Sequence, residues 1–240
     1  TDPQCNLSPD GVCQTAPSGQ GWCAYDDGSC PSGQRYSESA GDGLANQCVL
    51  RPDAAPIDAP DPATVVGVTA GGAHSCAWTA GKQAYCWGDT YFGGNFQSQP
   101  TFVPGLLDAE RVVAGGAHTC ALRTNRTASC WGTNTFGQLG DGSTTPHAQP
   151  TPVLNLSGLR LLAGGANHTC ALLTAGAVQC WGRNVNGQLG DGTNNDSSPP
   201  RSVTDLTNLT QLVSGAGHTC ALAAQAQVRC WGDNTYGQLG

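Results

Sequence analysis

A four-fold internal repeat constrains this chain more than any other feature. One copy opens Gly115-Gly116-Ala117-His118-Thr119-Cys120-Ala121-Leu122 and, after seven variable residues, continues Cys130-Trp131-Gly132. It then reads Thr133-Asn134-Thr135-Phe136-Gly137-Gln138-Leu139-Gly140-Asp141-Gly142. The histidine recurs at His74, His118, His168 and His218, and the tryptophan at Trp87, Trp131, Trp181 and Trp231, both in steps of 44, 50 and 50. A period near 50 that holds several short strands is the pattern of a propeller-type array, each copy being one blade. The copies run near 63–106, 107–156, 157–206 and 207–240. The first is six residues shorter than the next two, with Thr90 at the Asn position and Gly93-Gly94-Asn95-Phe96 in place of Gly-Gln-Leu-Gly. Such departures are expected of a terminal, capping repeat.

The strands can be placed from local pattern. Val112-Val113, Leu161-Leu162 and Gln211-Leu212-Val213 predict a short apolar strand before the glycines. His-Thr-Cys-Ala-Leu predicts a second, the stretch ending in Cys-Trp-Gly a third, and the region of Pro150-Thr151-Pro152-Val153 a fourth. A turn such as Thr174-Ala175-Gly176-Ala177 makes the second and third a β-hairpin. Composition agrees, because the chain holds Gly 34 and Pro 15. In a helix interior glycine costs about 1 kcal/mol and proline about 3. The expected fold class is all-β: four propeller-type blades in an incomplete or open ring, with a small disulfide-rich N-terminal module.

Each repeat carries two cysteines ten residues apart: Cys76 and Cys86, Cys120 and Cys130, Cys170 and Cys180, Cys220 and Cys230. If Cys120 faces Cys130, the hairpin turns about Asn125 and Leu122 faces Ala128. Directly opposed residues lie ~4.5–5.5 Å apart at Cα, inside the reach of a disulfide. Closing so short a loop stabilises by roughly 2–3 kcal/mol in the chain-entropy account. A Cys₂His metal site from His118, Cys120 and Cys130 is the competing reading. It weighs less, because cysteine pairs at hairpin spacing in secreted proteins are normally oxidised. The histidines are then expected to hydrogen-bond from blade to blade, with a pH-sensing ring as the weaker alternative.

Gly-x-x-His-Thr-Cys-Ala-Leu followed by Trp-Gly-x-Asn-x-x-Gly-Gln-Leu-Gly-Asp-Gly resembles the regulator-of-chromosome-condensation repeat over residues 64–240. The resemblance implies β-propeller blades of four strands, usually about seven to a ring. Members range from a nuclear guanine-nucleotide exchange factor to a secreted bacterial β-lactamase inhibitor and to interaction scaffolds. The cysteine pairs and the scarcity of bases argue against the nuclear role, and no exchange residue maps onto this sequence. The Cys-rich head and its spacer look like those of secreted proteins from predatory soil bacteria. The expected member is therefore a secreted, disulfide-rich, bacterial-like one.

Residues 1–50 form the head, with Cys5, Cys13, Cys23, Cys30 and Cys48 and little periodic hydrophobicity. Disulfides would have to hold it. Five cysteines allow two internal bridges and leave one over. Residues 51–62 read as a Pro/Asp-rich linker, and 63–240 as the repeat body. The net charge of −7 belongs to head and linker, while the body balances eight acids against eight bases. A neutral body gives nucleic acid no electrostatic footprint. No run of 18 apolar residues occurs, so contact with a membrane is peripheral at most. The chain lacks methionine and stops at Gly240, where earlier copies continue into Asp-Gly. It is expected to be a processed or partial product whose last blade is finished by more chain or by a neighbouring copy, closing a ring or extending a filament.

Further candidates are weaker. Asn-x-Ser/Thr sequons occur at Asn6, Asn125, Asn155, Asn167, Asn195 and Asn208. Asn125 and Asn195 are the best glycosylation candidates, followed by Asn155, Asn208 and Asn6, and Asn167 beside a buried strand is the poorest. Asp191 and Asp196 hint at Ca²⁺ but lack a full ligand set. Tyr91, Phe92, Phe96 and Phe102 cluster as a possible binding patch. No Gly-x-Ser-x-Gly, His-Glu-x-x-His or phosphate loop is present, so no catalytic residue and no cofactor is assigned. The expected function is a non-enzymatic, secreted or cell-surface glycoprotein that binds a protein partner or copies of itself. A secreted inhibitor or ligand-binding propeller, with a hydrolase or glycan target, is the alternative.

Overall fold

The computed structural model describes the backbone of residues 12–15, 21–26 and 34–36, and residues 65–89, 96–204, 206–224 and 226–240. The chain divides into two compact units, Thr1–Ile57 and Asp58–Gly240, parting within the Pro/Asp-rich stretch. In the first unit β1 (Val12–Thr15), β2 (Gly21–Asp26) and β3 (Gln34–Tyr36) form an antiparallel sheet in that order. Its register sets Cys13 opposite Cys23. Cys5, Cys30, Cys48, Asn6 and the linker lie outside the described residues, as do Tyr91 and Phe92.

The second unit is a succession of antiparallel blades. Blade one is β4 (Val65–Ala70), β5 (His74–Thr79), β6 (Ala84–Gly88) and β7 (Gln97–Phe102). Blade two is β8 (Ala109–Ala114), β9 (His118–Arg123), β10 (Ala128–Gly132) and β11 (His147–Pro152). Blade three is β12 (Leu159–Gly164), β13 (His168–Leu173), β14 (Val178–Gly182) and β15 (Ser197–Ser202). Blade four has three strands among the described residues: β16 (Leu209–Ser214), β17 (His218–Ala223) and β18 (Val228–Gly232). First strands stand side by side, β4 with β8, β8 with β12 and β12 with β16, which makes them the inner strands. The described strands do not close a ring.

A bulge solves a phasing problem in each inner strand. Strict alternation would send residues i and i+3 to opposite faces. The register slips between Ala109 and Arg111, between Leu159 and Leu161, and between Leu209 and Gln211. The extra residue lets Ala109 and Val112, Leu159 and Leu162, and Leu209 and Leu212 all reach the core. Fourth strands lie at the sheet edge, and there β7, β11 and β15 carry Pro100, Pro150, Pro152, Pro199 and Pro200. An edge tolerates proline because no ladder bond is lost on its outer side.

The core lies between blades, not within them. One cluster joins Cys76, Cys86, Val103 and Leu106 of blade one to Val112 and Trp131 of blade two. The next joins Cys120, Cys130, Leu139 and Val153 to Leu162 and Trp181. The third joins Cys170, Cys180 and Leu189 to Leu209, Leu212 and the partly buried Trp231.

Candidate functional site

The repeat motif builds the joint between blades, position by position. Cys76–Cys86, Cys120–Cys130, Cys170–Cys180 and Cys220–Cys230 are disulfides across directly opposed hairpin residues, each with Cα atoms 4.1 Å apart. Their thiolates are thus spent, and among the described residues no His/Cys/Asp/Glu group could hold a metal. The sulfurs are not internal staples alone. Those of the first three blades face the following blade, and Cys120 Sγ lies 3.9 Å and Cys170 Sγ 3.7 Å from the hydroxyls of Thr169 and Thr219.

The histidines cross the same joint. His74 Nε2 lies 2.8 Å from Thr119 Oγ1, His118 Nε2 2.8 Å from Thr169 Oγ1, and His168 Nε2 2.9 Å from Thr219 Oγ1. Thr169 donates its hydroxyl hydrogen to the Gln138 carbonyl at 3.1 Å, so it accepts from His118 Nε2–H. His118 is therefore the neutral Nε2–H tautomer, with Nδ1 buried and unpartnered. Burial, reinforced by neighbouring histidines, pushes His118 down to about 3 and His168 down to about 4. Burial also lowers His74, partly opposed by Asp89. The values of His118 and His168 lie below the window a physiological pH sensor needs.

Gly-Gln-Leu-Gly receives the next blade's tryptophan. Trp181 and Trp231 donate their indole N–H groups to the Gln138 and Gln188 carbonyls, both at 2.9 Å. A Cβ on Gly140 would sit 2.7 Å from Trp181 Nε1, so only glycine leaves room for the ring. The indole's need for a partner can be read from sequence, but the identity of that partner cannot. The only signal is that Gln and Trp recur together.

Strands alternate in direction, so the loops between first and second and between third and fourth strands share one face. On this face Asn134 and Asn184, both fully buried, organise residues 133–146 and 183–196. Asn134 Nδ2 donates to Asp141 Oδ1 and to the Ser143 and Thr145 carbonyls, while its Oδ1 accepts from Leu139 N–H. Asn184 repeats this with Asp191, Thr193 and Leu189. Burial would raise the carboxyls of Asp141 and Asp191, but hydrogen bonds outweigh it and hold both below the usual range. The donors are Ser143, Asn134 and His147 at Asp141, and Thr193 and Asn184 at Asp191. His147 Nε2 is 2.8 Å from Asp141 Oδ2, a pair absent from the sequence reading.

Asp191 and Asp196 border a groove of about 380 Å³ with Thr193, Asn195 and Arg201. The two carboxylates serve the loop itself: Asp191 Oδ1 caps Thr193 and Asp196 Oδ1 accepts from Asn184 N–H. That is turn chemistry. Two members of the aromatic cluster fall among the described residues. Phe96 is exposed just before β7, whereas Phe102 ends that strand and packs edge-on against Tyr85 at 5.7 Å. Six residues of extended strand, about 20 Å, separate them. Phe96 shares this face with two other exposed groups, Val185 and Tyr236, and with the half-buried Phe136, which has the Arg183 guanidinium 4.9 Å above its ring.

The opposite face holds the hairpin tips and the crossovers between blades. Three sequons fall on it, at Asn125, Asn155 and Asn208, all exposed. Asn125 Oδ1 accepts from Thr127 N–H at 3.1 Å and Thr127 Oγ1–H at 2.7 Å. Asn195 is exposed on the loop face, and Asn167 is half-buried there.

Two forms of the regulator of chromosome condensation (RCC1) repeat match the sequence, one over 130–172 and 175–222, the other over 110–138, 160–188 and 209–238. Together they span more than half of the chain. It belongs to the RCC1 repeat family. No curated protein sequence matches it. Among solved structures, human WBSCR16 is similar with a TM-score of 0.67 at 22% identity, over 86% of this chain and 58% of that one. A chain in the crystal structure of Kap60 bound to yeast RCC1 (Prp20) gives 0.65 at 24%, over 81% and 49%. Prp20p of Saccharomyces cerevisiae, reported with its binding properties to Gsp1p and histones, gives 0.65 at 24%, over 84% and 51%. The chain thus spans about half the length of these RCC1-type structures. The likenesses establish the propeller fold and carry no residue roles across.

Proposed function

We propose that the RCC1-type body is a non-enzymatic extracellular module that binds a protein partner on the face built by the loops between third and fourth strands. The observation that carries this reading is the contrast within those loops. Asn134 and Asn184 fix the backbone from inside, while Val185 and Tyr236 stand 50% and 91% exposed at the tips. Rigid loops with apolar or aromatic tips bind at low ordering cost. Prp20p, a member of the same family, is reported with binding to Gsp1p and histones, which supports a protein as the partner class. Four disulfides support an oxidising compartment. Glycans at Asn125, Asn155 and Asn208 would sit on the opposite face, and one at Asn195 on the loop face near Asp191 and Asp196.

The test compares the native chain with two surface variants in a quantitative pull-down from the secreted fraction. One combines Val185→Ser, Arg183→Ser and Tyr236→Ser; the other combines Thr124→Ser and Arg126→Ser on the opposite face. A partner lost only with the first variant is the expected result. A partner lost with the second, or with neither, would sink the loop-face reading. Intact-mass measurement before and after deglycosylation reports the glycans separately.

A further inference from the structure

Phe136 and Arg183 meet across the joint between blades two and three, which has a described blade on either side. The Arg183 guanidinium lies 4.9 Å from the centroid of the Phe136 ring. The repeat supplies the frame for this pair. Phe136 N–H donates to Gln138 Oε1 at 2.9 Å, and Arg183 N–H donates to the Asn167 carbonyl at 2.8 Å. Asn184, next to Arg183, is fully buried. Variable positions supply the chemistry: blade two has Thr133 where blade three has Arg183, and blade three has Asn186 where blade two has Phe136.

The guanidinium held in this way has its donors unspent. Arg123 and Arg126 pair with Asp108 and Glu110, and Arg201 donates to Ser197 Oγ at 3.1 Å. Arg183 has no such acceptor among the described residues. The carboxylates of its own loop serve that loop instead: Asp191 Oδ1 accepts from Asn184 Nδ2 and Thr193 N–H, and Asp196 Oδ1 from Asn184 N–H. A guanidinium stacked on a ring keeps its N–H groups free in its own plane, in a fork that fits a carboxylate with two parallel bonds. Val185, two residues on, is 50% exposed and gives the same loop an apolar tip.

We infer that Arg183 is a carboxylate anchor, so that the loop face receives an acidic side chain, flanked by apolar residues, from a protein partner. The carboxylate takes two N–H groups of the guanidinium, and the partner's neighbouring apolar side chain covers Val185. A carboxylate fits this place better than a phosphate. One guanidinium in a loop that already holds Asp191 and Asp196 offsets a single negative charge, whereas a phosphate dianion would meet two carboxylates with one cation. The inference rests on the loop-face reading and names the partner chemistry that this face accepts.

The test is NMR titration of the whole chain, disulfides intact, with acetyl-Leu-Glu-Leu-amide and with its glutamine counterpart. The glutamate peptide should shift the Arg183 Nε–H signal and the Val185 amide saturably in the millimolar range, and the glutamine peptide should bind several-fold more weakly. Arg183→Gln should abolish the response at Val185. Arg183→Lys keeps the charge but loses the fork, and should retain only a minor part. Arg160→Gln, at the far end of β12, should change nothing. Equal binding of the two peptides, a stronger response to inorganic phosphate, or no saturable shift at Arg183 overturns the inference. So does a partner lost with the triple loop-face variant yet retained by Arg183→Gln, a result that leaves the loop-face reading standing. A partner held by the opposite face sinks that reading, while the peptide titration still judges this one.

Discussion

At the residue scale, the glycines of the repeat are set by the rings beside them. Gly115, Gly165 and Gly215 each lie under the imidazole three residues on; a Cβ on Gly115 would meet His118 Cε1 at 2.1 Å and the Gly165 carbonyl at 2.6 Å. Neither neighbour can retreat, since the imidazole is hydrogen-bonded to blade three and the carbonyl belongs to its backbone. Gly115→Ala should therefore destabilise by about 2–3 kcal/mol, the cost of overpacking a tight core. Gly81→Ala, whose Cβ would meet nothing closer than 3.6 Å, should change stability by less than about 0.5 kcal/mol. Urea unfolding of the two variants checks the contrast, and equal losses would refute the packing account. Gly-x-x-His was legible as a recurring pattern. Its cause was not, because the ring–glycine contact depends on a tight turn, closed by Gly115 N–H donating to the His118 carbonyl.

At the scale of the element, hairpin register was the most legible feature, since a fixed separation of ten between cysteines leaves one pairing with Cys120 opposite Cys130 and Leu122 opposite Ala128. The inner-strand bulge was not legible, because it leaves no mark beyond apolar residues three apart, as at Leu159 and Leu162, which equally suit a helix. The aromatic cluster meets a related limit. Nearness in sequence groups Phe96 with Phe102, while the strand between them separates their ends. Disulfide position yields a prediction here. Replacing Cys120 and Cys130 by alanine removes both the loop constraint, roughly 2–3 kcal/mol, and sulfur packed against Trp181. The same change at Cys220 and Cys230 removes the constraint from a half-exposed hairpin. The first variant should lose more stability than the second by about 1 kcal/mol or more. Equal denaturation midpoints would mean that sulfur packing between blades contributes nothing.

On the scale of the whole molecule, the histidine bridges make stability depend on pH in one direction. His118 and His168 titrate at about 3 and about 4 in the folded protein, against 6.5 when unfolded. Between these limits the unfolded chain binds two protons that the folded chain excludes. Stability is thus fully present above about pH 6.5, declines as pH falls, and levels off once the folded-state values are passed. Two protons correspond to a slope of roughly 2.7 kcal/mol per pH unit at its steepest. His74 acts in the same sense, since its value is also lowered. Asp141 and Asp191, held below the usual carboxylate value of 3.8, extend the decline on the acid side, because their stabilisation is lost as they become protonated. His118→Gln keeps an N–H donor for Thr169 but cannot take up the proton. It should cost little at pH 7 and remove about half of the slope between pH 6 and 4.5. Denaturant midpoints at four or five pH values decide the matter: an unchanged slope would show that the buried histidines do not govern acid stability. The joints between blades, rather than the sheets themselves, would then have to owe their acid response to the loop carboxylates alone.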